Sequence, residues 1–277
     1  MNTGKSMTYK ILTREKLAEG ITKMVILSPE TVRNAQAGQF CVIMANENGE
    51  RIPLTIADFD KEKGTLTFIF QEVGFSTKKL GSMKPGDSVA AVLGPLGKAT
   101  HVEKLGTVFC IGGGVGIAEM LPVALAYKKA GNRIIGIIGA RTKELLILEV
   151  QLRSVCDELL IATDDGSVGV KGSVTDILRT RLERDMPHLV YVVGPVLMMK
   201  KVAEMTCPGK IKTIVSLNPI MVDATGMCGV CRCTVDGKPA FGCVDGPEFD
   251  AHLVDFQGLE KRLSFFKTEE ENIKKTL

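Results

Sequence analysis

Tryptophan is absent from the 277 residues, which contain only three tyrosines and three histidines. The 35 Lys and Arg residues nearly balance 32 Asp and Glu, and the basic residues are scattered among acidic ones. A nucleic-acid-binding surface normally needs a dense basic stripe, with aromatic rings on which bases can stack. The composition therefore argues against nucleic acid as a partner.

Long apolar runs are also missing. No stretch of 18 or more uncharged apolar residues, the length that a membrane-spanning helix requires, occurs in the chain. The opening residues, MNTGKSMTYK, lack the apolar centre of a secretory signal. We therefore expect a cytoplasmic protein with no membrane partner, long enough for two domains.

The chain changes character along its length. Residues 1–102 contain short β-branched-rich runs punctuated by Gly and Pro, which predicts a small antiparallel β-barrel. In residues 103–217 buried strands alternate with helices, which predicts a parallel, doubly wound, Rossmann-like sheet. Residues 218–250 form a compact Gly- and Cys-rich segment, and residues 251–277 are predicted to be a helical tail.

Half of the eight cysteines fall within sixteen residues. In a chain without a secretory signal, such a cluster more often binds metal than forms disulfides. Cys228 and Cys231 form a C-x2-C pair, and Cys243 follows a predicted hairpin that begins near Cys233. This pattern predicts a [2Fe–2S] cluster bound by Cys228, Cys231, Cys243 and one further residue.

Two residues compete for the fourth ligand position. Asp223 precedes Cys228 by five residues, so D-x4-C-x2-C reproduces the plant-type spacing with a carboxylate in the first place. Cys233 offers the softer thiolate, although it would lie within regular strand pairing. A zinc site built from the four cysteines is a third possibility, but a zinc ribbon normally shows two C-x2-C knuckles.

A glycine-rich turn, GGGVG at 112–116, lies between a buried strand and a helix. Glycines let the backbone approach a pyrophosphate, whose charge the helix N-terminus favours. Polar turns follow the later strands at 139–141, 163–167 and 194–195, and these turns should converge on one crevice. A dinucleotide site is therefore predicted there, and its residues are Gly112, Gly113, Gly114, Gly116, Ala140, Arg141, Asp164 and Gly194.

Three motifs occur along the chain in an order that resembles a known protein family. RIPLTI at 51–56, then GGGVG, then the C-terminal cysteine loop resembles the ferredoxin-NADP reductase superfamily, in the branch with a C-terminal cluster. The resemblance implies FAD in the barrel and NAD(H) on the sheet, although NAD preference rests on the resemblance alone. The FAD residues that it implies are Arg51, Pro53, Leu54, Thr55, Ile69, Phe70, Gln71, Ser76 and Thr77.

The cysteine loop separates two groups within that branch. Electron-transfer subunits of dihydroorotate dehydrogenase resemble M-x-C-G-x-G-x-C-x-x-C, with four cysteines. Small subunits of NADH-dependent reduced ferredoxin:NADP oxidoreductases have one Asp and three Cys, and this chain resembles them. The resemblance implies Asp223 as the fourth ligand and makes Cys233 a spectator. Glu119 departs from the branch, since it stands where many members have Pro.

The resemblance also implies a function. Electrons would pass between NAD(H), FAD and the cluster in an electron-bifurcating oxidoreductase, and no side chain would act as a conventional acid or base. The implied partner is a larger subunit with a second flavin and [4Fe–4S] clusters, which forms a heterodimer with this chain and reaches ferredoxin. The alternatives are the electron-transfer subunit of an NAD-dependent dihydroorotate dehydrogenase and a non-enzymatic redox regulator.

Overall fold

The computed structural model of the chain describes residues 8–266, and its first half is a nearly closed antiparallel sheet. The sheet order is β6-β1-β2-β5-β4-β3-β7. Its two edge strands, β6 and β7, are separated only by Ala90, so the chain itself draws the edges of the barrel together. The elements are β1 Tyr9–Ala18, β2 Ile21–Leu27, α1 Pro29–Val32, β3 Phe40–Met44, β4 Ile52–Asp60, β5 Thr65–Gln71, α2 Phe75–Ser82, β6 Ser88–Val89 and β7 Ala91–Leu96.

The second sheet is parallel over most of its width. Its elements are β8 Thr107–Gly113, α3 Gly116–Lys129, β9 Arg133–Ala140, α4 Glu149–Val155, β10 Glu158–Thr163, β11 Val170–Lys171, α5 Val174–Leu182, β12 Leu189–Val193, α6 Val196–Thr206 and β13 Thr213–Ser216. Because the order is β11-β10-β9-β8-β12-β13, the chain reverses its direction of travel across the sheet between β8 and β12. The predicted barrel and doubly wound sheet are both confirmed.

The C-terminal segment is divided between the two sheets. Its elements are the hairpin β14 Arg232–Val235 and β15 Lys238–Phe241, the strand β16 Glu248–Asp250 and the helix α7 Phe256–Leu263. Strand β16 pairs antiparallel with β13 and extends the parallel sheet. Residues Cys231 and Cys243 pack instead against Phe40 and Val42 of the barrel strand β3. Helix α7 lies within the predicted tail, and positions 267–277 lie outside the described residues.

The side chain of Asn132 forms hydrogen bonds with the segment that connects the barrel to the parallel sheet. It is 3% exposed. Its side-chain oxygen accepts hydrogen bonds from the backbone N–H groups of Leu105 and Gly106, at 2.7 and 2.9 Å. Its amide nitrogen donates to the carbonyls of Glu103 and Tyr127, both at 2.9 Å. One buried side chain therefore satisfies four backbone groups of the connecting segment and the end of α3.

Replacing this residue should destabilise the whole chain. We expect Asn132→Ala to lower the free energy of unfolding by about 3 kcal/mol, because buried backbone groups would lose their partners. Denaturant unfolding measures the change. Asn34→Ala, on an exposed asparagine, is the matched control and should change stability by less than about 0.5 kcal/mol. Equal effects of the two substitutions would contradict the assigned role of Asn132.

Candidate functional site

A cleft opens where the parallel strands end and the barrel begins. It encloses about 400 Å³. The turns after β8, β9 and β10 line one side, while Ile21 and Gln71 of the barrel line the other. Such a crevice, beside the point where strand order reverses, is where ligands bind in open parallel sheets. The lining residues include five predicted for the dinucleotide: Gly113, Gly114, Ala140, Arg141 and Asp164.

The predicted glycines shape the turn, because two of them let neighbouring backbone segments approach closely and a third adopts a positive φ. A Cβ on Gly116 would lie 2.7 Å from the carbonyl oxygen of Val193, so α3 can pack this closely on β12 only with glycine. A Cβ on Gly194 would lie 3.0 Å from the carbonyl oxygen of Gly113. Gly114 has φ +57°, with open space around it. The turn thus presents bare backbone and the N-terminus of a 14-residue helix, which suits a pyrophosphate.

The residues implied for FAD lie on adjacent strands of the barrel and at the start of α2. Arg51 immediately precedes strand β4, and Thr55 lies within that strand, beside β5. Gln71 faces the cleft, whereas the Phe70 side chain lies in the barrel core, so only its backbone is available to a ligand. The hydroxyl of Thr77 contacts the backbone N–H and carbonyl of Gly74, both at 3.1 Å, and caps α2.

Arg51 also reaches the cluster loop. Its guanidinium donates to the Oδ1 atom of Asp223 at 2.6 Å, across 172 positions in sequence. The Oδ2 atom accepts from the backbone N–H of Thr225 at 3.0 Å and from its hydroxyl. The hydrogen bond from that hydroxyl is the main cause that lowers the pKa of Asp223, and Arg51 adds to it. Asp223 is thus held as a carboxylate, the form that binds metal.

Two of the four clustered cysteines face each other. The sulfur atoms of Cys231 and Cys243 are 3.2 Å apart. Burial, followed by the hydrogen bond shared with the Cys231 thiol, raises the pKa of Cys243 to about 12. Cys228 is exposed, and hydrogen bonds from the backbone N–H groups of Val230 and Asp223 lower its pKa. These thiols, with the Asp223 carboxylate held nearby, form a donor set that fits an iron–sulfur cluster.

Cys233 lies elsewhere. Its thiol donates to the carbonyl of Ala240 at 3.5 Å, and the residue packs with Phe256 and Leu259 of α7 in the core of the parallel sheet. Cys231, by contrast, packs against the barrel. Within residues 8–266, no three His, Cys, Asp or Glu side chains converge as they would around a single metal ion. This arrangement does not favour a zinc site made of the four cysteines.

Two half-buried carboxylates next to these sites were not among the predicted site residues. Glu119, in the first turn of α3, accepts a hydrogen bond from the Thr55 hydroxyl. Burial, opposed by that hydrogen bond and reinforced by the charge of Glu248, raises the pKa of Glu119 to about 7. Glu248 accepts from the hydroxyl of Thr100 at 2.6 Å. The one available sequence signal is that Glu119 occupies a position where the resembled branch often has Pro.

Comparison with known proteins identifies the family. Residues 218–255 match the iron-sulfur cluster binding domain of dihydroorotate dehydrogenase B. A Thermotoga maritima protein, a homologue of the electron transfer subunit of dihydroorotate dehydrogenase B (NAD(+)), is 44% identical over 96% of this chain and 94% of its own length. The chain belongs to the family of these electron transfer subunits and their homologues. The confirmed superfamily is that of ferredoxin-NADP reductases.

Other family members and solved structures extend the match. The electron transfer subunit from Bacillus caldolyticus is 31% identical over 88% of this chain and 96% of its own length. A structure of an NADH-dependent reduced ferredoxin-NADP oxidoreductase, studied for flavin-based electron bifurcation, is 43% identical, with a TM-score of 0.91 and 98% of each chain covered. Phthalate dioxygenase reductase, at 19% identity and a TM-score of 0.60, shares the fold. None of the helices within residues 8–266 has the length and apolar character to cross a membrane.

Substitution of single cysteines should distinguish those that bind the cluster from Cys233, which is not expected to bind it. We expect Cys233→Ala to retain about two iron atoms per chain and Cys231→Ala to lose them, because only Cys231 faces Cys243. Iron analysis and the visible spectrum measure the outcome. Asp223→Cys should keep the iron yet change the EPR signal of the reduced cluster. Iron loss in Cys233→Ala with retention in Cys231→Ala would reverse the assignment.

The raised pKa of Glu119 should make the chain less stable as pH rises. In the unfolded chain this carboxyl ionises near its ordinary value of 4.5, whereas in the folded chain it ionises at about 7. Folding therefore loses stability as pH increases between these values. Allowing for partial exposure, we expect Glu119→Gln to be more stable than the parent chain by about 2 kcal/mol near pH 8, and equally stable near pH 4.

Thermal unfolding across this pH range measures the difference. Glu183→Gln, on an exposed glutamate, is the control and should follow the parent chain at every pH. A constant difference between Glu119→Gln and the parent chain would show that ionisation of Glu119 is not the cause.

Proposed function

We propose that this chain is the FAD- and [2Fe–2S]-carrying subunit of an electron-bifurcating transhydrogenase, which passes electrons between NAD(H), FAD and the cluster. The observation that carries the proposal is the shared cleft. Gly113 and Gly114 of the dinucleotide turn face Ile21 and Gln71 of the barrel across it. A nicotinamide bound on one side would therefore meet a flavin bound on the other. The likeness to the bifurcating oxidoreductase structure supports the same reading.

The proposed sites follow the predicted residues. Six residues would hold FAD through their side chains or backbone: Arg51, Pro53, Leu54, Thr55, Ile69 and Gln71. Phe70 would contribute its backbone only, while Ser76 and Thr77 lie at the N-terminus of α2. The glycine turn at 112–116, with Ala140, Arg141, Asp164 and Gly194, would hold NAD(H). Bound flavin exchanges a hydride with nicotinamide and single electrons with an iron–sulfur cluster. The side chains of this chain position that exchange and exclude water from it.

The cluster would lie near the protein surface, where it could transfer electrons to a partner subunit. Cys228 is exposed, and near it Met227 and Val222 are 86% and 56% exposed. Apolar side chains left in solvent beside a redox site suit a protein interface. Relatives are named as electron transfer subunits, which implies a larger partner subunit. We propose that this partner carries a second flavin and [4Fe–4S] clusters, forms a heterodimer with this chain and connects it to ferredoxin.

The division of the chain supports the same assignment. We assign residues 1–102 to the FAD barrel, 103–217 to the NAD-binding domain, 218–250 to the cluster subdomain and 251–277 to the C-terminal tail. Asp223, Cys228, Cys231 and Cys243 are the proposed cluster ligands. Arg51 supports this set, because it contacts Asp223 directly and would hold that carboxylate beside the flavin strand.

A second candidate function has a specific observation in its favour. The cluster segment matches the domain of dihydroorotate dehydrogenase B, and several relatives carry that enzyme's name. The same module would then receive electrons from dihydroorotate oxidation in a flavoprotein partner. The two functions differ in the partner and in the substrate, while FAD, cluster and NAD(H) stay the same.

Purification of the native complex distinguishes these functions. We expect a larger iron-rich flavoprotein to co-purify, and NADH to bleach the flavin of this chain under anaerobic conditions. NADPH with oxidised ferredoxin and NAD+ should then give NADH and reduced ferredoxin. NAD+ reduction that depends on dihydroorotate would support the second candidate instead. A flavin that NADH cannot reduce would contradict both and would favour a redox regulator. Cys231→Ala, which should keep flavin bleaching and lose cluster reduction, is the control.

A further inference from the structure

Two arginines from outside the cluster loop, residues 223–243, form hydrogen bonds with it. Arg51, which precedes β4, donates to the Asp223 carboxylate at 2.6 Å and to the carbonyl oxygen of the same residue at 3.4 Å. Further along the loop, the Nη2 atom of Arg262 donates to the carbonyl oxygen of Val230 at 2.9 Å. Arg262 lies in the last turn of α7, and the proposed function gives it no role.

The Val230 carbonyl belongs to the peptide bond that leads into Cys231. Arg262 therefore contacts the backbone of a candidate ligand, between the two cysteines of the C-x2-C pair. The carbonyl of Cys231 in turn accepts a hydrogen bond from the backbone N–H of Gly242 at 3.0 Å, next to Cys243. The backbone on each side of Cys231 is thus held by a hydrogen bond that does not involve its sulfur.

The loop depends on such contacts, because part of its backbone adopts left-handed conformations. Gly226 and Gly229 have φ values of 88° and 68°, and Ala224, which carries a Cβ, has a φ of 63°. A residue with a Cβ rarely adopts this conformation unless the surrounding structure selects it. Ala224 is 2% exposed and packs in the same side-chain cluster as Cys231 and Cys243. Packing therefore fixes the first half of the loop, while the contact from α7 holds the C-x2-C pair.

Helix α7 is itself anchored and can support that contact. The Asp255 carboxylate caps its N-terminus by accepting a hydrogen bond from the backbone N–H of Gly258 at 2.9 Å. Phe256 and Leu259 are 6% and 2% exposed and pack in the core of the parallel sheet. Because residues three apart lie on the same face of a helix, the burial of Leu259 directs Arg262 towards the protein.

We propose that Arg262 is a positioning residue for the [2Fe–2S] cluster, which holds the C-x2-C pair in its ligating conformation and raises the reduction potential of the cluster. The inference rests on the cluster of the proposed function and needs neither flavin nor NAD(H). One-electron reduction adds one negative charge to the cluster site. A guanidinium beside the Cys231 backbone stabilises that charge, and the partly buried contact is only weakly screened by salt.

Helix α7 thereby becomes part of the cluster site instead of a separate tail. The barrel supplies one cation, Arg51, to the carboxylate ligand, and α7 supplies a second, Arg262, to the cysteine pair. Groups outside the ligand shell orient metal ligands and tune the metal in this way. A cluster that accepts an electron more readily favours transfer from a partner into this subunit.

Potentiometry followed by EPR spectroscopy of the FAD- and cluster-loaded chain tests the proposal. We expect Arg262→Gln to be reduced about tenfold less favourably than the parent chain, about 59 mV lower for one electron. Its reduced cluster should give altered EPR g-values, and a chelator should compete for its iron about tenfold better. Arg262→Lys keeps the charge but loses the planar fork of N–H donors. Its potential and g-values should lie between those of the parent chain and Arg262→Gln.

Lys261→Gln is the matched control, because it removes the same charge from the adjacent, exposed position of α7. It should keep the potential, EPR signal and iron content of the parent chain. A parent-like potential in Arg262→Gln, or an equal shift in Lys261→Gln, would overturn the proposal. If Arg262→Gln assembles no cluster, Arg262→Lys decides alone, and a potential and g-values identical to those of the parent chain overturn the proposal. Loss of the cluster from both variants would show a purely structural role and overturn it as well.

The two levels of inference fail in different ways. A parent chain that binds no [2Fe–2S] cluster would remove the proposed function, and its iron content shows this before any variant is compared. Failure of NADH to bleach the flavin would also count against the proposed function, yet it would leave the cluster potentials of the variants readable.

Discussion

The antiparallel ladder between β13 and β16 is the constraint on which the candidate sites depend. It pairs Ser216 with Glu248, so both ends of the intervening cysteine loop are tied to the parallel sheet. Between those ends the loop turns back to the barrel, where the backbone N–H of Lys98 donates to the carbonyl of Gly246 at 2.7 Å. The cysteine-rich segment is therefore fixed to both sheets, and its residues Cys231 and Cys243 lie against the barrel strand β3.

Local patterns predict the parallel sheet well and the barrel helices poorly. The alternation of buried strands and helices predicted for residues 103–217 is present, because each element there is decided by neighbours in sequence. Helix α2 was not predicted, since its sequence FSTKKLGS includes a glycine and has only a weak apolar face. The β13–β16 pairing was not predicted either. Three-residue β16 gains its conformation from a partner more than thirty positions away, which no local signal records.

The same division explains what was predicted of the site. Glycine turns and cysteine spacing are local features, so Gly113, Gly114 and the clustered cysteines are identifiable from sequence alone. Contacts between residues far apart in sequence cannot be identified in this way. The Arg51–Asp223 ion pair joins residues 172 positions apart. In sequence, Glu119 resembles an ordinary acidic residue in the first turn of a helix, where the helix dipole stabilises a negative charge. Only the folded structure shows that Glu119 is half-buried and that the charge of a second carboxylate, Glu248, acts on it.

One guanidinium serves two candidate cofactor sites, which ties their charges together. Arg51 has five N–H donors, and a carboxylate has about four acceptor positions. The 2.6 Å contact uses one of each, and Thr225 occupies the other carboxylate oxygen with two hydrogen bonds. Asp223 would therefore keep one acceptor position, on its Oδ1 atom, for iron, while Arg51 would keep donors for a flavin phosphate. The cation that balances the Asp223 carboxylate is the one that a flavin phosphate would also attract, so the electrostatics of the two candidate sites must be considered together.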